Sequence, residues 1–199
     1  MEEYNMSPPK YCVIINNVRF ENNERHGSNI DAAEEMRRRL RDVRDTVQGD
    51  CFVCCVLSHG YREGILGVDS ELVFVNDINS LFSGPNCPAL LNKPKVFFFQ
   101  ACRSSRPVPV ADTPDLQKDF TEGAVLGGRP ISTPAYSDFL NCLSTVDDYV
   151  SIRCIKTGSW FIQSVCRQLR EGCSENVDIL TILTQVNMEV SQKDCMLVL

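Results

Sequence analysis

A chain of 199 residues, 43% of them hydrophobic and 23% charged, has the make-up of one globular domain with a sizeable core. Its 26 acids against 20 bases leave a formal net charge of -6. That balance speaks against nucleic acid as a partner, because phosphate binding needs a concentrated basic face. No apolar run approaches the roughly 18 residues of a membrane span, and no charged-then-apolar leader opens the sequence. A membrane partner is therefore not expected, and a cytoplasmic location is.

Residues 1–10, ending in Ser-Pro-Pro-Lys, read as a flexible lead-in. The run YCVIINN, residues 11–17, is short, apolar and rich in β-branched residues, as a buried strand is. After a polar stretch containing Arg25-His26-Gly27, apolar residues fall at Ile30, Ala33, Met36, Leu40 and Val43. This is helical spacing, with Ser28 and Asp31 as a capping pair. The basic run Arg37-Arg38-Arg39 with Arg41 and Arg44 lies among acids on that helix and reads as a solvated face rather than a binding patch.

CFVCCVLS, residues 51–58, is a second buried strand, and it stops at His59-Gly60. Strand alternation puts Cys51 and Cys54 on opposite faces, so no metal or redox site is expected there. The 11 cysteines are odd in number and irregular in spacing, as reduced core thiols would be. Gly64 and Gly67 punctuate a hairpin, and Asn76 or Asp77 opens a short helix through Leu81-Phe82. VFFFQ, residues 96–100, is the third buried strand and ends at Ala101-Cys102.

From Ser104 to Pro134 the composition shifts to Pro, Gly and acids, including Asp112, Asp115 and Asp119, which suits an exposed linker open to proteolysis. A strand over residues 135–146 follows, then helices over 159–170, apolar at Ile162, Val165, Cys166 and Leu169, and over 178–190. Apolar strands alternating with helices predict an α/β fold of three layers around a mainly parallel sheet. In such sheets chemistry collects at the carboxyl ends of the strands, where His59 and Cys102 both fall. A thiol nucleophile needs a base to form thiolate and an acid for the leaving amine, and imidazole serves as both. On position alone, a catalytic pair and an inert core cysteine beside a loop histidine stand level.

The sequence Gln100-Ala101-Cys102-Arg103 with a histidine 43 residues upstream, together with RHGSNIDA, DCFVCCVLSHG, KPKVFFFQACR, GSWFIQSVCRQLRE and DILTILTQVNMEVS in that order, resembles the caspase family. The wording is most similar to the death-receptor initiator branch. The resemblance implies a peptidase that cleaves protein substrates after Asp and needs no cofactor or metal. Cys102 would attack the scissile carbonyl, His59 would shuttle the proton, and the N–H groups of Gly60 and Cys102 would form the oxyanion hole. A loop carbonyl near Asn23 would orient His59.

Arg25, Gln100 and Arg153 would grip the substrate carboxylate, and Ser151 with Arg153 would hold the substrate main chain as an added strand. Trp160 would line the pocket further out, with helix-face packing as its alternative. The family's architecture implies a large-subunit-like part over residues 11–103, a linker over 104–134 carrying the processing candidates Asp112, Asp115 and Asp119, and a small-subunit-like part over 135–199.

Three departures bear on activity. Ser104 stands where the family has Gly, and a Cβ at a position of positive φ would be strained. A segment that in the family includes an edge strand is missing after Ala32, which would leave the first strand's backbone exposed. The chain also stops before the final strand, which in the family builds the dimer interface. Two readings follow: an Asp-directed endopeptidase of apoptosis or inflammatory signalling, for which a homodimer and a monomer both stay open, or a weakly active or inactive homologue that regulates a full-length caspase by heterodimerisation.

Overall fold

The computed structural model describes residues 11–17, 19–20, 23–24, 33–105, 134–154 and 157–193, with the backbone alone at 19–20 and 23–24. Arg25, Asp112, Asp115, Asp119, the capping pair Ser28 and Asp31, the lead-in and residues 194–199 lie outside that set.

Apolar, β-branched and aromatic runs pair as parallel strands. The chain enters through β1 (Tyr11–Asn16), passes a small antiparallel pair, β2 (Arg19–Phe20) and β3 (Asn23–Glu24), and forms α1 (Ala33–Thr46). It returns as β4 (Phe52–Leu57), then makes an antiparallel meander of β5 (Gly60–Tyr61), β6 (Gly64–Leu66) and β7 (Leu72–Phe74). Next come α2 (Val75–Leu81), β8 (Lys95–Gln100) and β9 (Phe139–Leu143). A hairpin of β10 (Arg153–Cys154) and β11 (Gly158–Ser159) precedes α3 (Trp160–Ser174) and α4 (Ile179–Ser191).

The main sheet runs β1-β4-β8-β9, all parallel. Alternation sorts its side chains into two cores. Phe52, Cys54, Val56, Phe97 and Phe99 pack under Met36 and Leu40 of α1 and Ile78 of α2. Val53, Cys55, Val96, Phe98, Leu140 and Cys142 pack under Phe161 and Val165 of α3 and Val186 of α4. The three-layer α/β architecture is therefore the expected one. Burial pushes the Cys55 thiol up to about 12 and that of Cys142 to about 11, so these cysteines stay protonated as small apolar groups. Cys166, expected on the apolar face of its helix, is exposed instead. No helix among the described residues is long and apolar enough to cross a membrane.

Helix ends show where local reading stops. Ser159 and Asp178, read from the sequence as the first residues of their helices, are the caps of α3 and α4: Ser159 Oγ accepts from the Ile162 N–H at 3.2 Å, and Asp178 Oδ1 from Leu180 and Thr181 at 3.0 Å each. The described start of α1 takes its carboxylate from a distance, the Ala33 N–H donating to Asp69 Oδ1 and Oδ2 at 3.1 and 3.0 Å. Gly67 permits that approach, because a Cβ there would lie 2.3 Å from the Ala33 nitrogen. Contrary to expectation, α2 does not open at Asn76 or Asp77; β7 runs directly into it at Phe74 without a side-chain cap. The strand expected over 135–146 also shortens to Phe139–Leu143, because residues 135–138 form a turn closed by Asp138 at φ 65.

The basic run on α1 is a solvated face. Arg38 pairs with Glu35 at 2.6 Å and Asp42 at 2.8 Å, and Arg39 with Glu35 at 2.9 Å. The guanidiniums of Arg38 and then Arg39 hold the Glu35 carboxyl down at about 2. Lys95 is buried beneath the sheet, with its ammonium donating to the Leu90 carbonyl at 3.0 Å and that of Lys93 at 2.7 Å over the Phe139 ring. Desolvation lowers its pKa. Among the described residues β1 is a sheet edge, and Ile14 on it is 68% exposed, as the shortened sequence implied.

Candidate active site

The β4–β8 ladder fixes the centre of the site. Every pair in it, from Phe52 with Lys95 to Leu57 with Gln100, is offset by 43 residues. The Ser58 N–H continues the ladder to the Gln100 carbonyl at 3.0 Å. His59 and Cys102 each lie two residues beyond the last pair of this ladder, so their separation equals its offset, and both are half-buried.

Buried polar groups that the sequence reading did not single out hold the His59 turn. Asn17 Nδ2 donates to Ser58 Oγ at 3.2 Å and to the Leu66 carbonyl at 2.9 Å, while Ser58 Oγ donates to that carbonyl at 2.6 Å. The His59 carbonyl accepts from the Leu66 N–H at 2.9 Å. These bonds tie β6 to the ends of β1 and β4. The only sequence signal for them was that the first strand stops at two asparagines.

Gly60 lies against the nucleophile turn. A Cβ there would sit 2.9 Å from the Ala101 Cβ and 3.0 Å from the Cys102 carbonyl oxygen. Only the absence of a side chain allows the two predicted oxyanion donors, Gly60 and Cys102, to lie on adjoining backbone. The void beside Cys102, between Tyr61, Phe99 and Leu143, is only about 10 Å³. From the opposite side the Ser151 N–H donates to Cys102 Sγ at 3.4 Å.

The residues assigned to the substrate carboxylate divide. Gln100 is 3% exposed, and its amide bridges two serines: Nε2 donates to Ser151 Oγ, and Oε1 accepts from Ser159 Oγ. Ser159 is also the cap of α3 and pairs with Arg153 across β10–β11. Gln100, Ser151 and Arg153 are thus gathered around Ser159, which the sequence reading did not flag. The Arg153 side chain is exposed. The Trp160 N–H donates to the Ile152 carbonyl at 3.3 Å, while its half-buried ring lies 5.7 Å from the Lys193 ammonium, beyond the end of α4. Arg25 and the loop side chains near Asn23 are outside the described residues.

Ser104 does not carry the strain expected of it, for it is not among the described residues with positive φ. The segment after Cys102 is instead held on both sides. The Arg62 N–H donates to the Ser104 carbonyl at 3.2 Å, the Arg103 N–H to the Tyr149 carbonyl at 3.0 Å, and the Asp148 N–H to the Arg103 carbonyl at 2.9 Å. Asp147 accepts from Arg103 Nε through Oδ1 at 2.9 Å and from Arg62 Nε through Oδ2 at 2.9 Å. Those guanidiniums, Arg103 foremost, lower the Asp147 carboxyl below the usual carboxylate range.

The caspase domain family profile matches residues 32–196. The chain is 33% identical to caspase-8 of Rattus norvegicus and 34% identical to caspase-8 of Mus musculus, in each case over 94% of this chain and 46% of the relative. It is 36% identical to caspase-6 of Mus musculus over 81% of this chain and 60% of that protein. The chain thus spans about half the length of the caspase-8 proteins it matches.

Proposed function

This chain belongs to the caspase family, and on that premise we propose that it is a cysteine endopeptidase cleaving protein substrates after Asp in apoptosis or inflammatory signalling. The observation that supports the reading is that His59 and Cys102 each lie two residues past the ends of the paired parallel strands β4 and β8, whose 43-residue offset equals their separation. His59 takes the Cys102 proton, and the thiolate attacks the scissile carbonyl carbon. The resulting oxyanion is stabilised by the N–H groups of Gly60 and Cys102. Collapse expels the amine, which takes the proton back from His59, and water then hydrolyses the thioester by the same route. Residues 11–103 act as the large part and 135–199 as the small part, with maturation by cleavage in the linker at Asp112, Asp115 or Asp119.

Selectivity rests on charge. Arg153, with Arg25 and Gln100, meets the substrate carboxylate, and an Asn in its place would forfeit the charge-assisted pairing of carboxylate with guanidinium. Fluorogenic peptides differing only in Asp, Asn or Glu before the scissile bond test this. The parent protein is expected to prefer Asp by at least about a hundredfold, and Arg153→Ala to lower kcat/KM for the Asp peptide by a similar factor at unchanged Tm. Equal turnover of the Asp and Asn peptides, or full activity in Arg153→Ala, contradicts the pocket assignment.

A second reading, a regulator that pairs with another caspase, is favoured by the outer edge of β9, which is open among the described residues. That edge faces a groove of about 1300 Å³ lined by Leu140, Leu143, Val146, Leu183 and Val190. Absence of Cys102-dependent hydrolysis at high protein concentration, together with altered activity of an added caspase, would favour it over the peptidase.

A further inference from the structure

One carboxylate joins three segments that are distant in sequence. Arg62 is two residues from Gly60, and Arg103 is adjacent to Cys102, so each guanidinium bound by Asp147 is carried by a residue close in the chain to one proposed oxyanion donor. The two oxygens are divided between them, Oδ2 to Arg62 and Oδ1 to Arg103. Around this bridge the Arg62 N–H reaches the Ser104 carbonyl, and the Asp148 N–H the Arg103 carbonyl. Ser105 Oγ donates to Asp148 Oδ1 at 2.6 Å, and Asp148 holds this position at φ 68. Four residues beyond Asp147 in the same loop, the Ser151 N–H touches the Cys102 sulfur.

We infer that Asp147 is a positioning residue: by clamping Arg62 and Arg103 it sets the spacing of the Gly60 and Cys102 N–H groups and seats the Ser151 loop on the nucleophile. The inference rests on the peptidase reading. Asp147 is 42% and Arg62 54% exposed, so the clamp adds little to global stability, as exposed ion pairs generally do. Its effect falls on geometry, where small displacements of oxyanion donors have large consequences for rate. This also accounts for how Ser104 is accommodated. The turn after the nucleophile is fixed from outside by the carboxylate, and its backbone needs no left-handed residue.

The test compares the full chain with its Asp147→Asn and Asp147→Glu variants. In Asp147→Asn, kcat for the Asp peptide is expected to fall about tenfold with KM within about twofold, and Asp147→Glu to recover part of the loss. A peptide aldehyde ending in Asp adds the Cys102 sulfur to its carbonyl carbon, and the carbonyl oxygen, now bearing the negative charge, enters the oxyanion site and then takes a proton. Its affinity is expected to fall by the same factor. Alkylation of Cys102 by iodoacetamide, which expels iodide and forms no oxyanion, is expected to stay within about twofold of the parent rate. Hydrogen exchange at the Arg62 and Asp148 amides is expected to quicken in Asp147→Asn.

Unchanged kcat and aldehyde affinity in Asp147→Asn overturn the inference. So does a parallel fall of kcat, alkylation rate and Tm, which would make Asp147 a scaffold residue. A parent protein that neither turns over nor binds the aldehyde contradicts the peptidase reading instead. The exchange rates then decide the clamp, and equal rates in parent and variant overturn it.

Discussion

Replacing Cys102 by Ala is expected to lower hydrolysis of an Asp-containing peptide by about three orders of magnitude or more, with the fold intact. The alanine removes the only atom able to form the thioester. His59 and the oxyanion donors cannot act in its place, because their contributions depend on the sulfur attacking first. The loss of the Sγ contact to the Ser151 N–H is a minor structural change, since Cys102 is only half-buried and its turn is held through Arg62, Tyr149 and Asp148. Initial rates at matched protein concentration, with Tm as the control for folding, check this. Residual activity within tenfold of the parent would mean that another group is the nucleophile.

The second large effect concerns stability. Phe97→Ala is expected to cost about 3–5 kcal/mol, a large share of the 5–15 kcal/mol that holds a typical domain folded. Phe97 is fully buried at the centre of the sheet. Its ring lies 5.8 Å from those of Phe52 and Phe82, 5.9 Å from Phe99 and 5.7 Å from Phe139. Removing it opens a cavity among rigid aromatic neighbours fixed on three strands and the end of α2, which cannot close in on the space. Thermal unfolding is expected to show a Tm lower by roughly 10 °C. Leu180→Ala, at a site 63% exposed, should stay within about 0.5 kcal/mol of the parent. Equal effects of the two substitutions would contradict the packing described.

What the sequence made legible follows from what is local or periodic. The strands at 11–17, 51–58 and 96–100 declared themselves because apolar β-branched and aromatic runs of that length have few other folds open to them, and they lie where expected. The helices that run on from Ser159 and Asp178 were readable from the spacing of their apolar residues. His59 and Cys102 stood out because both follow buried strands, and their separation of 43 equals the register offset of those two strands.

Long-range contacts were not legible. The carboxylate at the described start of α1 comes from Asp69, 36 residues away, and no local pattern reports it. The Asp147 bridge spans 85 residues to Arg62 and 44 to Arg103, and nothing distinguishes Asp147-Asp148 from an ordinary acidic turn in the sequence. The bonding of Gln100 to Ser151 and Ser159 depends on how β8, β10 and β11 meet, which hydrophobic periodicity does not encode. Strain at Ser104 was expected from a family pattern, and the backbone at 104 takes an ordinary φ in its place.

The most direct test of the central claim, that Cys102 is the nucleophile of an Asp-selective site, is to locate a covalent label. The full chain would be treated with a limiting amount of a peptide ending in an Asp acyloxymethyl ketone, digested, and mapped by mass spectrometry across all 11 cysteines. Attack by the thiolate displaces the carboxylate leaving group and leaves a thioether at the labelled sulfur. The expected result is a thioether at Cys102 alone, lost when the reagent carries Asn in place of Asp. Labelling that spares Cys102, or that falls preferentially on the exposed Cys12, Cys166 or Cys173, would contradict the account.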